Sequence, residues 1–178
     1  MSRDADLGVL GLDRAGRERL EGALDGGGIG SVMQAIDMAR ISSIGAGLLT
    51  VNGVRLGAAP GTFALTRLWS SDPVSYPVGG TKHKAPARWT EVLLVRGEDF
   101  IGEGEAAIAE AFDDHARIAA LGLLAVINLP IAAAGRVVAT FNLLGQRPGW
   151  NATDIARARC LAALATPSIL AAAAQGAG

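Results

Sequence analysis

Six side chains between Arg67 and Trp89 have the chemistry to hold a polar or anionic small molecule: Arg67, Ser70, Tyr76, Lys82, His83 and Trp89. A guanidinium forks onto a carboxylate or phosphate, and the flat faces of Trp and Tyr cover a ring or an aliphatic surface. All but Arg67 lie within residues 70–89, which show no hydrophobic period. A loop of that length inside a compact domain is either functional or disordered. Two asparagines, Asn128 and Asn142, stand within otherwise apolar runs and would add amides from strands beside the same pocket. The competing reading is structural: Trp89 and Tyr76 pin the loop, Arg67 pairs with an acid on a helix, and the asparagine amides satisfy backbone groups.

Other chemistry finds less support. His83, His115, Asp113 and Asp114 match no familiar metal-ligand spacing. Asp114 and His115 are neighbours and no Gly-x-Ser-x-Gly turn follows a strand, so a Ser-His-Asp triad is not indicated. His115 suits a helix end near the negative pole of the dipole. Cys160, among alanines, reads as a small core residue rather than a reactive thiol. No catalytic residue, metal or cofactor is assigned. An enzyme acting in the same pocket, with His83 or His115 as general base and Lys82 or Arg67 holding substrate charge, is the alternative to a binding module.

At 178 residues the chain suits one domain with a full core. Half of it is hydrophobic, yet only 4% is aromatic and 24 residues are glycine, which points to close packing through small side chains. A net charge of -1 argues against a nucleic-acid or membrane-surface partner. A charged N-terminus without an apolar segment, and a single cysteine, give a cytoplasmic expectation. Residues 54–96 hold six Lys or Arg (Arg55, Arg67, Lys82, Lys84, Arg88, Arg96) against two acids, whereas residues 97–115 hold seven acids and no Lys or Arg. Such neighbours either pair with each other or line an anion site beside an acidic helix.

The elements that position these groups centre on two apolar runs, residues 123–129 and 137–144, which read as the two central strands of a hairpin joined by residues 130–136. No charge lies between Arg117 and Arg136, but Asn128, Pro130, Gly122 and Gly135 interrupt a membrane-spanning helix. Earlier in the chain, Asp13 caps a helix carrying Leu20 and Leu24 that stops at the glycines of 26–30. Ser31 opens a second helix in capping-box spacing, with Val32, Ala35, Ile36 and Ala39 on one face to about Ile41. A strand over 44–51 ends at an Asn52-Gly53 turn, and 62–70 forms its partner. A short helix over 89–95, a short strand at 99–101 and a helix over 103–119 with Ile108 and Phe112 in its buried stripe follow. A last helix begins at about Asp154, capped by Asn151 or Thr153 and kinked at Pro167. Residues 1–30 form an N-terminal helix and Gly-rich connector, and 31–174 a single domain of α+β class.

Residues 31–170 resemble a GAF domain. The resemblance is carried by Phe112-Asp-Asp-His115, Leu121-Gly122, Val126-Ile-Asn-Leu-Pro-Ile131, Gly135-Arg-Val-Val138 and Thr140-Phe-Asn-Leu-Leu144. Arg67-Leu-Trp-Ser-Ser71, Tyr76-Pro-Val-Gly-Gly80 and Trp89 are similar to a subgroup of small, stand-alone bacterial GAF proteins. The resemblance implies a GAF-like, PAS-related antiparallel sheet with terminal helices on one face and loop and short helices on the other. It also implies a small-molecule sensing pocket, homodimerisation through the terminal helices, and a separate effector protein as possible partner. The chain departs from better-known members. No cysteine stands in the middle segment to hold a bilin, no cyclic-nucleotide signature is present, and one cysteine is too few for a free methionine sulfoxide reductase. A ligand-free structural dimer is the remaining reading. In the last helix Ile155, Ala158, Ala162, Ala165 and Ile169 form one stripe and Leu161, Leu164 and Ala172 another, more apolar surface than one sheet face requires.

Overall fold

The structure, a computed structural model, describes residues 3–175, with side chains from Leu7 onward. The central apolar stretch folds as a hairpin of β5 (Ala125–Ala133) and β6 (Arg136–Gly145). Its connector is shorter than residues 130–136. The strand continues through Pro130, and Ala134 and Gly135 alone make the turn, both at positive φ (49° and 76°), as a type I′ hairpin turn requires. Pro130 is tolerated because the next strand, β4 (Phe100–Glu103), pairs only as far as Asn128.

Six antiparallel strands run in the order β3-β2-β1-β6-β5-β4, with β1 (Gly47–Leu56), β2 (Phe63–Ser70) and β3 (Thr81–Lys84) completing the sheet. The centre is therefore β1 beside β6, and β5 lies one place out. The Asn52-Gly53 pair does not turn the chain. Beyond it, Val54 and Leu56 continue the strand against Leu65 and Phe63, and the reversal falls at residues 57–62, closed by the Gly57 amide on the Thr62 carbonyl. Asn52 instead marks a bulge, where pairing shifts from Val51 with Trp69 to Asn52 with Arg67. The extra residue puts both Leu68 and Trp69 against the helical side, so Ser70 and Arg67 fall on the same opposite face. The segment 70–89 is also not all loop, since Thr81–Lys84 pairs with β2.

Helices cover one face. α1 (Arg3–Leu10) has no counterpart in the sequence reading, and α2 (Arg14–Leu24) is capped as expected, Asp13 Oδ1 accepting from the Gly16 amide at 2.7 Å. α3 (Ile29–Ser43) starts two residues before Ser31. Gly28 is its N-cap, and the Ser31 hydroxyl donates to the Gly28 carbonyl from inside the first turn. Last in the chain comes α7 (Ala152–Gln175), capped by Asn151 rather than Thr153, in a reciprocal pair of bonds between Asn151 and Asp154. Pro167 lies within this helix without ending it. Its length and composition would let α7 cross a membrane, but Ala158, Leu161, Ala162, Ala165 and Ile169 are buried against the sheet and the other helices. Leu7, Leu10, Leu20, Met33, Ile36, Leu49, Phe141 and Leu143 belong to the same core.

Where α3 ends, its last carbonyls meet arginines. Arg157 donates to Ser43, Arg147 to Ile44 at 3.1 Å, and Arg40 to Gly45 at 2.7 Å. These cations sit where the helix dipole leaves partial negative charge and unbonded acceptors. They fix the exit of the chain into β1.

Short elements cover the other face. α4 (Arg88–Thr90) runs into a π-helical turn, Glu91–Val95, and the single helix expected over 103–119 is two, α5 (Gly104–Ala111) and α6 (His115–Ala120). The break follows from side-chain demand. Phe112 turns extended to meet Trp89, ring centroids 6.3 Å apart, while Asp113 and Asp114 are drawn to Lys84 and Lys82. His115 consequently opens a helix, at the positive end of its dipole, the reverse of the expected placement. The basic and acidic segments pair with each other: Lys82 with Asp114, Lys84 with Asp113, Arg88 with Glu110 and Arg96 with Glu98.

Candidate functional site

Between the sheet and this second layer lies a cavity of about 60 Å³. The sheet gives it Leu48, Thr50, Asn52, Leu65, Arg67, Asn142 and Leu144, and β3 adds Lys82 and Lys84. Tyr76, Trp89, Phe112, Asp114 and Ile118 roof it. Strand alternation explains the choice of residues: Phe63, Leu65 and Arg67 pair with Lys84, Lys82 and the continuing β3 segment on one face, leaving His83 on the other.

Of the eight binding candidates, Arg67, Tyr76, Lys82, Trp89 and Asn142 line the cavity. Ser70 is buried on the same face but spends its hydroxyl on the Asp72 amide, holding the turn that carries Tyr76. His83 is exposed and does not reach the cavity. Asn128 is fully buried just behind the wall. Its Oδ1 accepts from Trp89 Nε1 at 2.8 Å, and its amide donates to Asn142 Oδ1 at 2.9 Å. Asn142 in turn donates toward Thr50 and the Thr140 carbonyl at 3.3–3.4 Å. The asparagines therefore bond to side chains as well as to backbone, as a relay that sets the plane of the Trp89 indole.

Two polar atoms at the cavity are buried without a partner, Arg67 Nε and the Tyr76 hydroxyl. The Arg67 guanidinium stacks 5.0 Å from the Tyr76 ring centre, and its Nη1 reaches the Pro77 carbonyl at 3.3 Å. Burial lowers the Arg67 pKa, opposed by Asp114 and Tyr76. Tyr76 is pushed up to about 12, first by burial and then by the neighbouring Asp114 carboxylate, to which it lacks hydrogen-bond geometry. The phenol is thus a fixed donor at neutral pH. Asp114 occupies the N-cap position of α6 yet makes no side-chain cap; its carboxylate meets Lys82 Nζ at 2.7 Å instead.

No family model and no curated protein matches the sequence. Solved structures do. A GAF domain from a phosphoenolpyruvate-protein phosphotransferase of Coxiella burnetii superposes with a TM-score of 0.66 over 100% of both chains at 12% identity. The equivalent domain from Acinetobacter gives 0.61 over 100% of this chain and 98% of that one at 14% identity. The GAF domain of a two-component sensor histidine kinase from Bacillus halodurans gives 0.58 over 81% and 95% at 15% identity. The chain has the GAF-domain fold.

In this GAF fold the sequence reading missed Thr50, Asn52, Lys84, Phe112, Asp114 and Ile118 as cavity residues, along with the leucines. Asp114 and Lys84 carried a signal, the abrupt switch from basic to acidic segment, which located the pairing without locating the cavity. Asp113 titrates below the usual carboxylate range because Lys84 hydrogen-bonds it and adds its charge. For Asp114, burial pushes upward, but the bond and charge of Lys82, its backbone and the nearby Tyr76 outweigh it and the net shift is downward. A carboxylate with a depressed folded pKa contributes stability above its unfolded value that is lost as pH falls through the folded one. Asp114→Asn is therefore expected to be less stable than the wild-type chain at pH 7, and the gap should close below about pH 4. Urea midpoints at a series of pH values check this; a gap constant with pH contradicts it.

Proposed function

We propose that this GAF-fold chain is a sensor or regulatory module that binds a small polar or anionic molecule in the cavity under residues 70–89. It acts as a cytoplasmic homodimer through its terminal helices and passes its state to a separate effector protein. The observation that carries the reading is the pair of buried, unpartnered donors, Arg67 Nε and the Tyr76 hydroxyl, on a cavity that is otherwise largely apolar. The proteins that carry the similar domains, a sensor histidine kinase and a phosphotransferase, agree with a regulatory setting. The enzyme alternative is disfavoured by the placement of both histidines. His83 and His115 are exposed and do not line the cavity, and the ring contact of His115 is to the Phe112 carbonyl. A purely structural dimer is disfavoured by the open volume that Tyr76 and Trp89 leave.

Native mass spectrometry of the chain purified from its own host, set against its denatured mass, tests the proposal. The expected result is a dimer carrying one small adduct per subunit. A bare monomer that no member of a metabolite set stabilises would contradict it.

A further inference from the structure

We infer that the ligand is a short-chain monocarboxylate, with its carboxylate held by Arg67, Tyr76 and Lys82 and its tail against Leu48, Leu65 and Leu144. This deepens the proposed function and rests on it. Four observations converge. The first is the unmet donors, Arg67 Nε and the Tyr76 hydroxyl, on side chains only 9% and 6% exposed. Buried donors are rarely left unpaired, and a carboxylate accepts from several at once.

The second is charge. Arg67, Lys82 and Lys84 line the cavity, whereas Asp114 and Asp113 are the carboxylates paired to the lysines. One positive charge, that of Arg67, is left for a ligand bearing one negative charge.

The third is Asp114 itself. It is the chain's own carboxylate at the cavity wall, turned from the cap its position offers toward Lys82, and its field reaches both Arg67 and Tyr76. An entering carboxylate competes with it for the same cations, so Asp114 weakens binding.

Size and lining give the fourth. At roughly 10–15 Å³ of such volume per water-sized occupant, 60 Å³ accommodates about four to six heavy atoms. Leu48, Leu65, Ile118, Leu144, Trp89 and Phe112 suit a short hydrocarbon tail better than the outer oxygens of sulfate or phosphate, for which Thr50, Asn52 and Asn142 are the neutral polar groups of the lining. A dicarboxylate brings a second charge, and the other cations of the lining, Lys82 and Lys84, are already paired with Asp114 and Asp113.

Calorimetric titration of the full chain with acetate, propionate, butyrate, propionamide and sulfate, at one ionic strength, tests this. Propionate or butyrate should bind at least tenfold tighter than propionamide and sulfate. Arg67→Gln should weaken carboxylate binding by about 10–100-fold and Tyr76→Phe by about tenfold, the usual range for hydrogen bonds to a charged group. Asp114→Asn should tighten it several-fold. Tyr76→Phe removes only an unpartnered hydroxyl, so it reports even if Arg67→Gln does not fold. Propionamide or sulfate binding as tightly as propionate, with Tyr76→Phe and Asp114→Asn indifferent, overturns the carboxylate assignment and leaves small-molecule binding standing. Absence of binding by all five, with no metabolite stabilising the chain, overturns both.

Discussion

Replacing Arg40 with alanine is expected to lower the stability of the chain by about 3–4 kcal/mol, the lower part of the range seen when one partner of a buried ion pair is removed, since Asp37 is only partly buried. Arg40 is 2% exposed and is the largest of the fully buried side chains among the described residues. Its Nε and Nη2 both reach Asp37 Oδ1, at 2.8 and 2.7 Å, and Nη1 bonds the Gly45 carbonyl. Truncation strands an acid and a carbonyl and leaves a void beneath the corner between α3 and β1. For a chain of this length the loss corresponds to a fall in Tm of roughly 10 °C. Differential scanning calorimetry reads it, and a fall of under about 3 °C would mean that Arg147 and Arg157 hold the corner without Arg40.

The second large effect concerns the relay behind the cavity. Asn128→Leu keeps the branched shape, though not the volume, and leaves Trp89 Nε1 and Asn142 Oδ1 without their partner in a fully buried place, at a cost of about 2–4 kcal/mol. Trp89 then loses its fixed plane, and the wall of the cavity loosens with it. Adding Asn142→Leu should cost less than the sum of the two single changes, because the acceptor stranded by the first change has been removed. Urea denaturation of the two single variants and the double variant gives the coupling; strict additivity would show that the asparagines act independently.

Reading the fold from the sequence succeeded where period and caps were local. The hairpin of β5 and β6, the β2 strand, the Asp13 cap and the face of α3 follow from alternation, helical spacing and side-chain capping. It failed where a tertiary demand outweighed a local signal. Asn52-Gly53 is a strong turn pair, yet it sits in a bulge because Val54 and Leu56 gain more from pairing with β2. Likewise residues 103–119 have helical composition, and the helix breaks because Phe112 and Asp114 are needed at the roof of the cavity. The same holds for the site. Arg67, Tyr76, Lys82, Trp89 and Asn142 could be chosen by chemistry, while the choice of Lys82 and Lys84 over His83 depends on the register of a four-residue strand that residues 70–89 barely announce.

A sensing role requires that a small molecule enter the cavity beneath Trp89. The indole N–H resonances of Trp69, Trp89 and Trp150 in the 15N-labelled chain, assigned by single Trp→Phe changes and followed during titration with propionate and then with neutral and charged metabolites of similar size, test that most directly. Trp89 is expected to shift with saturation while Trp69 and Trp150, both packed against the core on the helical side, stay in place. A Trp89 resonance that no compound moves would contradict the account.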